Sequence, residues 1–142
     1  MVKLAANLSM MFNEYDFLDR FNVAHRTGFK GVEYLFPYDY EKDHLVNLLS
    51  ENGLSQVLHN LPAGDWDSGD RGIACDPDRV GEFQESVGIA VEYATALSCP
   101  QVNCLAGLKP DNVSAENARD TLISNLKFAS PILENAGVKL II

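Results

Sequence analysis

Positive charge is scarce in this sequence: 11 Lys and Arg stand against 20 Asp and Glu, a net charge of −9. A field of that sign repels nucleic acid and anionic membrane, so neither is an expected partner. An anionic metabolite can bind only where a local group such as Arg71 overrides the field. Long hydrophobic runs are missing too, and none approaches the roughly 20 residues that cross a bilayer. The apolar start, MVKLAANLSMMF, has no basic leader, long apolar stretch or small-residue cleavage site, and reads as a first strand. Cysteine is sparse and odd in number. Cys75, Cys99 and Cys104 lack metal-ligand spacing and fit the reduced, buried thiols of a cytoplasmic protein. What is present, 46% apolar and 22% charged residues in a chain of 142, is the composition of one soluble globular domain spanning 1–142.

Short apolar runs alternate with helical patterns. KLAANLSMM (Lys3 to Met11) predicts a strand with Ala5, Asn7 and Ser9 on one face and Leu4, Ala6 and Leu8 on the other. Asp16 is placed to cap a helix in which Phe17, Phe21 and Ala24 share a face, and Gly28 stops it. A second strand is expected over Lys30 to Phe36, a helix from about Glu41 to Asn52 ending at Gly53, and a third strand in LSQVLHN. Asp76-Pro77 is an N-cap followed by proline at the first helical position. Val80, Phe83, Val87, Val91, Ala94 and Leu97 then mark one stripe of a long helix. QVNCLAG is the fourth strand. Ser114 to Ala136 is the fourth helix, with Leu122, Leu126, Ala129 and Leu133 inward and an expected kink at Pro131, and VKLII is a fifth strand.

Strands separated by helices demand a parallel sheet with right-handed crossovers. An open doubly wound sheet and a (β/α)8 barrel both satisfy the pattern. The first strand-to-helix connection, NLSMMFNEYD, contains no glycine, which removes the phosphate-binding fingerprint of a dinucleotide fold. The strands also carry polar residues near their C-terminal ends: Asn7 and Ser9, Glu33, His59 and Asn60, Asn103. In a barrel those ends form the active-site face, so an α/β (β/α)8 TIM barrel is the expected fold.

AANLSMMF, GFKGVEYLFPYDY, LHNLPAGDWDSGDRGIACDP and QVNCLAG resemble, in order and over nearly the whole chain, the hydroxypyruvate isomerase family of the xylose-isomerase-like TIM barrels. The GFKGVE element marks only the fold. HNLPAGDW followed by GDRGIA is the part that resembles the hydroxypyruvate isomerases, whereas the sister 2-oxo-tetronate isomerases share the ANLSMMF and FPY segments and differ in that loop. A barrel of this kind takes about 250 residues. The resemblance puts both proton-transferring glutamates and the divalent-metal ligands, Mg2+ or Mn2+, on strands five to eight. The family's LLIEP pattern finds its counterpart in KLII at Ile142, just short of the first glutamate. The chain is therefore expected to be the N-terminal part of a barrel, about four βα units and the start of strand five. It is expected to hold no catalytic glutamate and no metal, to be inactive alone, and with its open edges either to associate edge to edge as a homo-oligomer or to stay loosely packed and aggregation-prone.

The implied reaction interconverts hydroxypyruvate, a small anionic oxo acid, with 2-hydroxy-3-oxopropanoate through an enediolate. A doubly anionic enediolate needs positive partners and dry surroundings. Trp66 can cover such a substrate and Arg71 can pair with its carboxylate, with glycines as hinges. The plainer reading has Trp66 pinning the loop to the core and Arg71 pairing with Asp67 or Asp70. His59 reads as a polar substrate contact or as a buried histidine bonded to its neighbours. Glu33 is expected to point inward and orient other site groups, and Asn7 and Asn103 to line the pocket floor, with ordinary core hydrogen bonding as the alternative. His25 and His44 lie on helices and receive no role. A sugar epimerase or 2-oxo-tetronate isomerase, an endonuclease IV-like nuclease and a non-catalytic half-barrel are the competing readings. The nuclease would need several strand-end histidines and a basic groove.

Overall fold

The structure is a computed structural model and describes residues 2–142. Parallel neighbours cannot be joined by a tight turn, so each strand is followed by a helix before the next begins. In chain order these are β1 (Ala5–Asn7), α1 (Arg20–Arg26), β2 (Gly31–Glu33), α2 (Lys42–Glu51), β3 (Ser55–Asn60), α3 (Val80–Ala96), β4 (Gln101–Asn103), α4 (Ala115–Asn135) and β5 (Lys139–Ile141). Short 3₁₀ turns, Phe17–Asp19 and Pro77–Arg79, lead into α1 and α3. The sheet order is β1-β2-β3-β4-β5 and every neighbouring pair is parallel.

That order decides between the two expected architectures. Sequential right-handed crossovers all land on one face, whereas a doubly wound sheet reverses direction and covers both. One side of the sheet is thus the helix face. Ala6, Leu8, Val32, Tyr34 and Val102 point into it and pack on Phe21, Leu45, Phe83, Val87 and Leu133 of the helices. On the other, inner face Ala5 is exposed and Val57 and Ile141 are half-buried. A Cβ added to Gly31 would lie 3.2 Å from Val57 and 3.4 Å from Ala5, so glycine there keeps three strands close together on the inner side.

The strands are shorter than the apolar runs suggest, because polar side chains at their ends capture backbone groups. Asn7 Oδ1 accepts from the Ser9 amide at 3.0 Å, and the Met10 and Met11 amides turn back to the Asn7 carbonyl. β1 therefore stops at Asn7, and Met10 is left 65% exposed. Ser9 Oγ in turn takes the Leu35 amide at 2.9 Å, which ends β2 before Phe36. Arg20 fastens this first loop by donating to the carbonyls of Leu8 and Tyr15 and to Asn13 Oδ1.

Helix starts divide into bonded and unbonded caps. Ser114 Oγ accepts from the Asn117 amide at 3.1 Å and Asp76 Oδ1 from the Asp78 amide at 3.0 Å. Asp16 occupies a cap position but its carboxylate makes no capping bond, and the turn it begins is 3₁₀. Along α3 the buried stripe is Phe83, Ser86, Val87, Ala90 and Ala94, with Val80 and Val91 only half-buried. Pro131 lies on the exposed side of α4, which is assigned as one helix from Ala115 to Asn135. Ser114→Ala should destabilise the fold by about 1 kcal/mol in urea titrations, while Asp16→Ala should change it by less than about 0.5 kcal/mol. Equal losses would show that the bonded and unbonded caps do not differ.

Candidate active site

Register on the inner face assembles a row of polar side chains at the C-terminal ends of the strands. Asn7 and Glu33 are partners across β1 and β2, and Asn7 Nδ2 donates to Glu33 Oε1 at 3.0 Å. Asn60 and Asn103 are partners across β3 and β4, and Asn103 Nδ2 donates to Asn60 Oδ1 at 2.9 Å. Asn7, Glu33 and Asn103 are half-buried and Asn60 is buried. Glu33 thus orients the Asn7 amide. Asn60 was legible as a polar strand end, but nothing in the sequence assigned it to the row.

An irregularity in β3 explains why Asn60 joins the row and His59 does not. Val32 pairs with Gln56 but Glu33 pairs with Leu58, so β3 carries one residue more than β2 between those rungs. The added residue reverses the alternation of faces beyond it. His59 consequently pairs with Val102 and lies on the helix face, 1% exposed. Its Nδ1 is 3.0 Å from the Asn60 carbonyl and 3.2 Å from Tyr38 Oη. Of the two readings of His59, the buried histidine bonded to its neighbours describes its surroundings, and a direct substrate contact does not.

The connection from β3 to α3 hangs over the same ends of the strands. Trp66 packs edge-on against Phe36, just past β2, with ring centres 5.1 Å apart. The Arg71 guanidinium lies over the Trp66 ring at 4.2 Å, and its Nη1 donates to the Trp66 and Asp70 carbonyls at 3.0 and 2.6 Å. Among the described residues Arg71 makes no ion pair. The expected alternative, an Arg71 pair with Asp67 or Asp70, is corrected by Arg79. Its Nη1 holds Asp70 at 2.8 Å while Nε and Nη2 grip Glu82. Asp70 also accepts the Asp65 amide at 2.7 Å, and the Asp65 carboxylate binds Ser68, whose hydroxyl and amide hold the Asp65 pKa below the usual carboxylate range. Asp70 is thus a structural fastener of the loop.

Glycine locks the base of that loop. A Cβ on Gly72 would stand 2.2 Å from the Leu105 carbonyl oxygen, and one on Gly107 2.4 Å from the Gly72 oxygen. Both have φ near +100°. Cys75 N donates to the Ala106 carbonyl at 2.8 Å, and buried Asn125 donates to the Ala74 carbonyl at 2.9 Å. The loops after β3 and β4 therefore share one foundation, and the segment carrying Trp66 and Arg71 rises from it.

Two further features bound the chemistry. No group of three His, Cys, Asp or Glu side chains among the described residues is arranged to hold a metal ion. A groove of about 820 Å³ lies at the opposite ends of the strands, between Leu4, Phe29, Gly31 and Val57. Its lining includes Lys3 and Lys30 but no acid or histidine, so the polar row is the better candidate site. No helix among the described residues is long and apolar enough to cross a membrane.

Residues 21–142 match the family model described as xylose isomerase-like TIM barrel. The chain belongs to this family. A structure from Brucella melitensis described as AP endonuclease, family 2, superposes on 99% of the chain with a TM-score of 0.95 and 41% identity, and the match takes up 54% of that protein. Among curated relatives, hydroxypyruvate isomerase of Escherichia coli is 49% identical over 142 residues, 55% of its own length. The 2-oxo-tetronate isomerase of Haemophilus influenzae is 44% identical over 140 residues, 54% of its length. The chain thus spans about half the length of the curated relatives it matches, and its strands follow the order of consecutive barrel strands.

Burial pushes the His59 pKa below the ordinary value of 6.5, against the opposing pull of the Asn60 carbonyl. Below pH 6.5 the unfolded chain takes up a proton that the folded chain resists, so stability is full above that pH and falls as pH drops toward the lower folded value. Urea midpoints measured down this range should fall for the native chain, and the fall should be smaller for His59→Gln. Parallel curves would exclude His59 as the source.

Proposed function

We propose that this chain supplies the substrate-gripping side of a barrel that interconverts hydroxypyruvate and 2-hydroxy-3-oxopropanoate. The observation that carries the reading is Arg71, stacked on Trp66 beside the active-site ends of the strands and without an acidic partner among the described residues. Its guanidinium is the local positive charge that an anionic oxo acid needs in a chain of net charge −9. Trp66 provides an apolar cover on the Phe36 side. Asn7 and Asn103 offer amides to the substrate oxygens, held by Glu33 and Asn60 respectively. The 49% identity to the E. coli hydroxypyruvate isomerase favours this substrate over the 2-oxo-tetronates, supported at 44% by the Haemophilus relative.

The reaction moves one proton from C3 of hydroxypyruvate to C2 and one from the C3 hydroxyl to the C2 oxygen, leaving an aldehyde at C3 and a hydroxyl at C2 through an enediolate. Two carboxyl groups suit that exchange. The polar row offers Glu33 alone, and Asn7 occupies one of its oxygens. Both acid-base groups are therefore assigned outside these 142 residues. The divalent metal of the implied reaction has no donor set among the described residues. A nuclease reading is disfavoured by the net charge and by His59 lying on the helix face.

Two measurements test this. Pure chain of residues 1–142 should not turn over hydroxypyruvate with Mg2+ or Mn2+, and metal-dependent turnover would place the acid-base groups inside it. In a barrel completed with the second half of the E. coli enzyme, Arg71→Ala should lower kcat/KM for hydroxypyruvate on the order of 30-fold, about 2 kcal/mol for an enclosed charge-assisted contact. An unchanged kcat/KM would remove Arg71 from the site.

A further inference from the structure

Residues 65–71, the arm that carries Trp66 and Arg71, bond chiefly to themselves. The Asp65 amide donates to Asp70 Oδ2 at 2.7 Å, and the Asp70 amide donates back to the Asp65 carbonyl at 2.9 Å. Inside that ring the Asp65 carboxylate holds the amide and hydroxyl of Ser68, and the Gly69 amide meets the Trp66 carbonyl. Arg71 Nη1 donates to the carbonyls of Trp66 and Asp70. Among the described residues one hydrogen bond ties the arm to the rest of the molecule, from Arg79 Nη1 to Asp70 Oδ2 at 2.8 Å. A loop packed by its own side chains keeps its shape, so its outside contacts decide where it sits. Those contacts are the Trp66 ring on Phe36 and the Arg79 ion pair.

Arg79 is itself held from behind. It ends the 3₁₀ turn Pro77–Arg79 at the foot of α3, and Glu82 in the first turn of that helix takes its Nε and Nη2 at 2.7 and 2.8 Å. A guanidinium gripped along one edge by a carboxylate points its remaining nitrogen in a fixed direction, which an ammonium on a flexible stem cannot do. Glycine at 64, with φ +82°, clears the approach: a Cβ there would stand 2.1 Å from Asp70 Oδ2 and 2.7 Å from Arg79 Nη2. The paired side chains are 28% and 30% exposed, so their contribution to global stability is small. Their effect is local, on the place of the arm.

What the arm presents follows from the atoms it leaves open. Arg71 uses Nη1 for two carbonyls, while its Nε and Nη2 make no hydrogen bond among the described residues. In Arg79 the same two nitrogens receive both oxygens of Glu82. We propose that Arg79 is a positioning residue of the candidate site. Through Asp70 it sets the arm over the strand ends, and it thereby holds the open Nε–Nη2 edge of Arg71 where a substrate carboxylate docks with both oxygens. The docking half of this rests on the isomerase reading. The latch between Arg79 and the arm does not.

Trp66 is the single tryptophan of the chain, so its fluorescence reports the arm alone. In the chain of residues 1–142, Arg79→Gln should shift the Trp66 emission to longer wavelength and raise its quenching by acrylamide, with far-ultraviolet circular dichroism unchanged. Unmoved emission and quenching in the folded variant would overturn the latch. Should Arg79→Gln not fold, Asp70→Asn asks the same question from the other side, because its amide oxygen still accepts from Asp65 while the charge that Arg79 holds is gone. An unmoved Trp66 there would overturn the proposal as well. In the barrel completed with the second half of the E. coli enzyme, Arg79→Gln should lower kcat/KM for hydroxypyruvate on the order of 10-fold, mainly through KM, since misplacing a contact by about 1 Å can cost that much. Added to Arg71→Ala, the same substitution should cost nothing further. A full further loss would show that Arg79 acts other than through Arg71 and would overturn the positioning role. If Arg71→Ala itself leaves kcat/KM unchanged, the docking half falls with the isomerase reading, and the Trp66 result still judges the latch.

Discussion

A single unmatched residue in β3 controls which chemistry faces which way. Side chains alternate strictly along a strand, and the only way to send two polar neighbours to faces other than those the alternation dictates is to change the count between them. With Val32 opposite Gln56 and Glu33 opposite Leu58, that count changes once, next to the mouth. Asn60 then meets Asn103, and His59 turns to the helices and ties Tyr38 to the sheet. Without the added residue, an imidazole would stand in the polar row and a primary amide would have to find partners among Val102 and the helices. The Asn60–Asn103 half of the row and the buried histidine behind it both depend on this one irregularity.

Much of the architecture is legible in the sequence because its signals are local and periodic. Helix stripes such as Phe83, Val87 and Ala94 repeat with the turn of a helix, and glycines at 28, 53 and 137 follow the helix ends and adopt positive φ. Strand lengths are less legible, because apolar character continues past Asn7 and Glu33 while the backbone is captured there by Asn7 and Ser9 side chains. The face of His59 was illegible for a different reason. An inserted residue in a strand leaves no mark on composition or alternation, since it exists only relative to a neighbouring strand.

The loop shows the same divide between local and distant information. Asp67 and Asp70 stand next to Arg71 in sequence, which makes a local ion pair the natural expectation. The structure gives Asp70 to Arg79, nine residues on, and stacks Arg71 on Trp66 instead. Gly64 makes room for the first of these: any Cβ there would fall 2.1 Å from the Asp70 carboxylate. Asp65 and Asp70 are therefore held within the loop's own shape, and its arginine stays available in a molecule whose net charge is strongly negative.

The face-to-face glycines at 72 and 107 have a consequence for anyone recombining these barrels. Leu105 fills the space that a Gly72 side chain would take and the Gly72 carbonyl fills that of Gly107, so the two loops were sized against one another. Transplanting the longer loop by itself would carry Gly72 into a scaffold whose opposite turn was shaped for some other guest. The exchangeable unit is the pair of loops, together with the few residues of β4 that hold them apart.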